Sequence, residues 1–220
     1  GGRRDKAHPH DLPRSDERLR NKMVEAVSRT LRRLSPLLAL LVLPSAVCAH
    51  RDDQYLQATL VIIEPSEIRL QINLTPGVAV AEQVLARIDR DRDRAISKNE
   101  AAAYAKLMRR DLTLRMDGRK LELKLTASEF ILPEELRTGS GTIQMEFTAI
   151  LDSLVPGLHK LTLENRHLTT MSVYLINAAQ PRSATVQIAR QKRNQSQSAG
   201  EIEFTFQPLR SKIASSAGPT

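Results

Sequence analysis

Oxygen-bearing side chains recur on alternate residues between positions 89 and 100, where the sequence reads DRDRDRAISKNE. Carboxylates occupy the first, third and fifth places (Asp89, Asp91 and Asp93), and a fourth closes the stretch at Glu100. A hard cation such as Ca²⁺ takes roughly six to eight oxygen ligands at about 2.3–2.6 Å, and a short loop with ligands on alternate residues can surround one ion. The stretch therefore predicts calcium coordination.

This spacing resembles that of an EF-hand loop, in which the seventh residue binds through its backbone carbonyl and the ninth through a polar side chain. An apolar residue also stands at the eighth place, Ile96. The predicted metal ligands are Asp89, Asp91, Asp93, Ala95, Ser97 and Glu100.

Two features of the loop predict weak calcium binding. The sixth place holds Arg94, where EF-hand loops carry a glycine for a sharp turn, and the place after Glu100 holds the small residue Ala101. The four carboxylates are also offset by four cations, so the loop has no formal net charge. We expect a dissociation constant of about 10⁻⁴–10⁻³ M, the range of extracellular modules.

A simpler explanation needs no metal. Ser97 and Glu100 have the spacing of a capping box, which would start a helix by itself. The alternating Asp and Arg residues could form a solvated charged turn. Both alternatives remain open on the sequence alone.

The residues around the loop favour helices within a strand-rich chain. Apolar residues at helical spacing predict a helix over 76–88, capped by Thr75 with Pro76 in its first turn, and a second helix over 101–110. The fold class that we predict is α+β, mostly β: an antiparallel β-sandwich over 50–208, with the helix–loop–helix unit inserted at 76–110, and a flexible tail at 209–220. The predicted strands are 55–63, 67–74, 112–116, 120–125, 142–150, 159–164, 171–177, 184–189 and 201–206.

The basic stretch 190–200 is expected to be a solvated hairpin loop, or else a contact for acidic lipid headgroups.

The amino-terminal part predicts export. Arginines precede an apolar run that ends in small residues, which is typical of a secretory signal peptide over 23–49 with cleavage between Ala49 and His50. Residues 1–22 are then a polar, disordered leader before Met23. We expect the protein to be periplasmic or secreted; the alternative is a membrane anchor formed by residues 34–49.

Composition argues against several functional classes. The first 49 residues hold ten Lys/Arg and five Asp/Glu, and the remaining residues hold 23 Lys/Arg and 20 Asp/Glu. The formal charge of +8 is therefore too dispersed to favour nucleic-acid binding. The single cysteine, Cys48, precedes the expected cleavage site, which excludes disulfides and thiolate metal sites afterwards. The sequence holds no catalytic motif, and we expect a binding or structural module rather than an enzyme.

The order of elements carries a family resemblance. An early strand pair, the DRDRDRAISKNE loop, the helix AAAYA and the run LTLRMDGRKLEL are similar to the extracytoplasmic domain of bacterial nickel-permease-like membrane proteins of the hydrogenase and urease accessory class. The resemblance covers about residues 50–206 and implies a β-rich ectodomain with one EF-hand. It also implies an alternative function, an accessory or sensor domain with a membrane nickel or cobalt transporter as partner.

The same resemblance suggests a second metal hypothesis, in which His50, as a free amino terminus after cleavage, binds a transition metal. The other histidines after the cleavage site, His159 and His167, have no metal-ligand spacing, and we expect them to be ordinary surface or strand-end residues.

Overall fold

Residues 53–209, which the computed structural model describes, form ten strands and three helices. The strands are β1 (Tyr55–Ile63), β2 (Glu67–Pro76), β3 (Leu112–Met116), β4 (Arg119–Lys120), β5 (Lys124–Glu129), β6 (Ile143–Ile150), β7 (Gly157–Asn165), β8 (Ser172–Ala178), β9 (Val186–Arg193) and β10 (Ala199–Phe206). The helices are α1 (Val78–Ile88), α2 (Lys98–Asp111) and α3 (Pro133–Arg137). The predicted leader, the signal peptide with its Ala49–His50 cleavage site, and residues 210–220 of the tail lie outside the described residues.

The strands form two five-stranded sheets, which confirms the mostly-β class. The first sheet has the order β5-β6-β2-β1-β8, and the second has the order β4-β3-β7-β10-β9. All pairings are antiparallel except that of β1 with β8, which is parallel. One parallel pair is the difference from the antiparallel sandwich that the sequence predicts.

The first hairpin follows the two-residue alternation of its sequence. Strands β1 and β2 pair from Ile63↔Ile68 to Tyr55↔Pro76, and the apolar residues of β2 face the interior. The predicted cap and first helical turn at Thr75 and Pro76 are wrong, because both residues still pair in β2. Helix α1 instead begins after Gly77, whose N–H donates to the Gln54 carbonyl oxygen at 2.8 Å.

The turn residues Asp117 and Gly118 predict that runs 112–116 and 120–125 form a second hairpin, and this prediction is wrong in its extent. Strands β3 and β4 share two residue pairs, after which the chain leaves the second sheet and enters the first as β5. The crossover segment 121–123 connects the sheets, and its Leu123 is buried. Strand β9 is longer than predicted and reaches Arg193, so much of the basic stretch 190–200 lies in a strand; Arg190 there pairs with Glu203.

One hydrophobic core receives side chains from both sheets and both long helices. Phe147 comes from the first sheet and Phe204 from the second, while Val84 of α1 and Met108 of α2 belong to the same cluster. Helices α1 and α2 lie in sequence between β2 of the first sheet and β3 of the second. The loop between these helices is therefore held at both ends by elements that are packed into the core.

Burial predicts how much each leucine contributes to stability. Leu70 of β2 is 0% exposed, whereas Leu158 of β7 is 65% exposed. We expect Leu70→Ala to lower the free energy of unfolding by about 2–5 kcal/mol, and the matched Leu158→Ala to change it by less than about 1 kcal/mol. Urea denaturation of both variants measures this, and equal losses would contradict the position of the core.

Candidate metal centre

The loop begins and ends on buried anchors. Ile88 closes α1 with no exposed surface, and the Asp89 N–H donates to the Leu85 carbonyl oxygen at 2.8 Å. Towards the other end, Ile96 is partly buried and packs against the core. An apolar residue at the eighth place of the loop therefore has a packing role.

Three of the predicted ligands come together. Asp89, Asp91 and Asp93 each offer a carboxylate oxygen, and these oxygens lie within 4.8 Å of one another. This aspartate cluster could hold a metal ion. Opposite ligands of a calcium ion lie up to about 5 Å apart, so the spacing needs no large rearrangement of the loop.

Asp89 is the buried member of the aspartate cluster, at 7% exposure. Its Oδ2 accepts the Arg94 N–H at 3.0 Å. Its Oδ1 is buried and has no hydrogen-bond partner among the described residues. A buried carboxylate oxygen without a donor is costly, and a bound cation would satisfy it.

Electrostatic crowding is visible at Asp91. The Asp93 N–H, which donates to Asp91 Oδ1 at 3.2 Å, lowers the pKa of Asp91. Partial desolvation and the neighbouring charges of Asp93 and Glu100 outweigh that hydrogen bond, and the pKa is raised. The negative charges of the loop therefore disfavour ionisation of Asp91.

Ser97 and Glu100 form the capping box that the sequence allows. Ser97 Oγ accepts the Glu100 N–H at 3.3 Å, and Glu100 Oε2 accepts the Ser97 N–H at 3.0 Å. Glu100 Oε1 also accepts the Arg90 N–H at 2.6 Å. Hydrogen bonds from the Ser97 N–H and hydroxyl have the largest effect, the Arg90 N–H has a smaller one, and together they lower the pKa of Glu100 to about 2.

The structure thus divides the predicted ligand set. Glu100 and Ser97 start α2 and bind each other, while the aspartates at the first, third and fifth places form the cluster. Ala95 donates its N–H to Asp93 Oδ1 at 2.8 Å, which tightens the turn. The capping box accounts for the end of the loop without a metal, but it does not account for the aspartates.

The backbone of the loop adopts the turn that a glycine would favour. Arg94 has φ +69°, in the left-handed region, and Arg92 has φ +63°. Left-handed backbone costs a residue with a Cβ atom about 1–2 kcal/mol. The sixth place therefore keeps the conformation expected of this kind of loop even though its residue is an arginine.

Comparisons with protein-family models, curated proteins and solved structures gave no match. The resemblance to EF-hand loops and to permease ectodomains therefore stays a prediction. Within residues 53–209, no helix combines the length and apolar character needed to span a membrane.

His159 lies near the start of β7 and His167 just after its end, as expected, but neither is a surface residue, because both are buried. His159 Nδ1 lies 2.7 Å from Asp117 Oδ2, and Nε2 lies 2.7 Å from the Val155 carbonyl oxygen. Both partners are acceptors, which calls for a doubly protonated ring. His50 lies outside the described residues.

His167 belongs to a buried chain of hydrogen bonds that sequence reasoning missed. Its Nδ1 lies 2.8 Å from Asp111 Oδ2, its Nε2 lies 3.0 Å from the Tyr104 hydroxyl, and that hydroxyl lies 2.9 Å from the Tyr55 hydroxyl. Burial lowers the pKa of His167, which favours a neutral ring that donates from Nδ1 and accepts at Nε2. The ring is 0% exposed, so these contacts hold α2 in place and offer no open surface to a substrate.

Replacing Arg94 by glycine is expected to stabilise the protein. Arg94→Gly removes the left-handed strain and should raise the free energy of unfolding by about 0.5–1 kcal/mol, after the greater flexibility of glycine in the unfolded chain is counted. Arg90→Gly is the matched control, because it removes the same charge at a residue without positive φ. Chemical denaturation that ranked Arg90→Gly as the more stable variant would contradict the loop geometry.

The His159–Asp117 pair predicts a stability maximum in mild acid. Burial lowers the pKa of His159, but hydrogen bonds to Asp117 and Val155 outweigh it, and the pKa is raised. Its contribution is full below the ordinary value of about 6.5 and is lost as the pH rises through the raised pKa. Burial raises the pKa of Asp117, but His159 and the Lys160 N–H outweigh it and lower that pKa, so its contribution is lost as the pH falls below about 3.9.

We therefore expect His159→Gln to lose more stability at pH 5 than at pH 8.5. Urea denaturation at the two pH values measures the difference. Asp117→Asn should show the same pH dependence, and the double variant should add little, because the two side chains act as a pair. A pH-independent loss in His159→Gln would rule out the charged pair.

Proposed function

We propose that this protein is a secreted or periplasmic calcium-binding module in which loop 89–100 joins α1 to α2 around one ion. The observation that carries the proposal is the buried Oδ1 of Asp89, which has no donor among the described residues and lies in a group with two further carboxylates. The role that fits a single loop between packed helices is structural or ligand-binding. A paired-loop calcium switch would need a second such loop, which the sequence does not contain.

The donor set supports calcium over softer metals. The aspartate cluster offers carboxylate oxygens and contains neither imidazole nor thiolate. Oxygen ligands of this kind suit Ca²⁺ and Mg²⁺, whereas Zn²⁺, Ni²⁺ and Cu²⁺ favour nitrogen or sulfur. Calcium is preferred over magnesium because a flexible loop with many ligands suits its larger coordination shell.

The ligands would be the three aspartates, the Ala95 carbonyl, the Ser97 hydroxyl and Glu100. Glu100 accepts the Arg90 N–H at the start of the loop and the Ser97 N–H near its end, so joining the ion would mean exchanging some of those hydrogen bonds. That exchange, and the four cations of the loop, both reduce calcium affinity. Weak binding is compatible with a compartment in which calcium is abundant.

Calorimetric titration of the 220-residue chain with CaCl₂ tests the proposal. We expect one site with a dissociation constant of about 10⁻⁴–10⁻³ M, and a rise in melting temperature at millimolar calcium. Asp89→Asn keeps the shape of the side chain and its acceptor for the Arg94 N–H but removes the charge, and should weaken binding about tenfold or more.

The matched control is Asp152→Asn, an exposed aspartate outside the loop. It should bind calcium as the unchanged chain does. Equal heats from Asp89→Asn and the unchanged chain would refute a calcium site at this loop.

A further inference from the structure

A cavity with a volume of about 710 Å³ lies beside the loop, between α1, α2 and the crossover segment 121–123. Its lining includes six cationic side chains and a single carboxylate, that of Glu122. The cations are Arg87, Arg90, Lys106, Arg109, Arg110 and Lys120. They are spread over 34 residues of sequence and come together only in the fold.

Most of this positive charge is not neutralised by the protein. Among residues 53–209, the only one of the six cations in an ion pair is Arg110, whose Nε lies 3.1 Å from Asp111 Oδ1. Arg109 Nη1 donates to the Leu123 carbonyl oxygen at 3.4 Å, which leaves its other donors available. Clustered like charges repel one another, and an anion in the cavity would relieve that repulsion.

Helix ends explain only part of the cluster. Arg87 lies in the last turn of α1, and Arg109 and Arg110 lie in the last turn of α2, where a cation offsets the helix dipole. Arg90 is in the loop, Lys106 is further back in α2, and Lys120 is in β4. Arg90 directly follows Asp89, the C-cap of α1, so it too lies near a helix carboxyl end, whereas Lys106 and Lys120 do not.

The cavity also has apolar walls. Ala86, Ala103, Leu107 and Leu121 contribute to its lining, and Tyr104 adds an aromatic wall. The Tyr104 hydroxyl is held inside the protein by His167 and Tyr55, so this wall has a fixed position. An apolar concave surface with a few convergent charged groups is typical of a small-molecule site, and the volume lies within the usual range of about 300–1,000 Å³.

We propose that this cavity binds a small phosphate monoester or similar organic dianion, whose charged group contacts the cations while its apolar part rests on the alanine and leucine side chains. Arginine binds phosphate oxygens through paired N–H groups, and lysine adds a point charge. The cavity is larger than a bare phosphate needs, which argues for an organic substituent. Binding at this site does not require calcium in the loop.

Phenyl phosphate is the probe, because it combines a dianion with a flat apolar body. Titration calorimetry of the full chain without calcium, at low salt, should show saturable binding that weakens as salt is added. Inorganic phosphate should bind more weakly, because it cannot use the apolar walls. Lys106→Gln/Lys120→Gln removes two cavity cations without touching the helix ends, and should weaken phenyl phosphate binding about tenfold.

The matched control is Arg182→Gln/Lys192→Gln, which removes the same charge from exposed residues outside the cavity lining. It should change the affinity less than about twofold. Melting curves without ligand verify that both double variants fold. Equal weakening in the two double variants would show a general charge effect and overturn the proposal.

A sedimentation arm distinguishes a soluble ester from a lipid headgroup. Vesicles of phosphatidylcholine with phosphatidic acid present the same phosphate monoester on a membrane, and pure phosphatidylcholine vesicles are the control. Binding to the acidic vesicles that is lost in Lys106→Gln/Lys120→Gln would support the site with a lipid as its source. The proposal would be overturned if the chain bound neither phenyl phosphate nor the acidic vesicles.

Discussion

Helix α2 is fixed by the buried hydrogen bonds that run from Tyr55 through Tyr104 and His167 to Asp111. Tyr55 belongs to the first sheet, Tyr104 and Asp111 belong to α2, and His167 follows the β7 strand of the second. Each of these four side chains has a hydrogen-bond partner within the network, and a buried network of this kind is stable only when it is complete. The end of the loop at Glu100 and the wall of the cavity at Tyr104 both depend on the position of this helix.

The loop and the cavity, which both adjoin α2, carry clustered charges of opposite sign. In the loop, three aspartates crowd together and the pKa of Asp91 is raised, so a cation would stabilise the arrangement. In the cavity, six cationic side chains face one carboxylate, so an anion would do the same. Arg90 belongs to both, because its N–H binds Glu100 while its side chain lines the cavity. The small net charge of the region after residue 49 conceals this separation.

Local patterns in the sequence predicted what depends on local geometry. Alternation in β2 fixed the first hairpin, and the spacing of carboxylates brought Asp89, Asp91 and Asp93 together, as predicted. Contacts between distant residues could not be predicted in this way: Tyr104 and His167 are 63 positions apart. The crossover after β4 was missed because the run KLELKL suits either sheet, and α3 was missed although Pro133 followed by two glutamates is a helix-start signal.

We propose that calcium relieves the crowding among the loop carboxylates. A ¹⁵N amide NMR titration of the full chain with CaCl₂ observes this most directly, because it reports each residue of the loop separately. The account predicts saturable shifts at millimolar calcium that are largest for residues 89–100, with smaller changes in the strands. Unchanged amide positions for residues 89–100 at 10 mM calcium (about ten times the weakest dissociation constant expected) would contradict it.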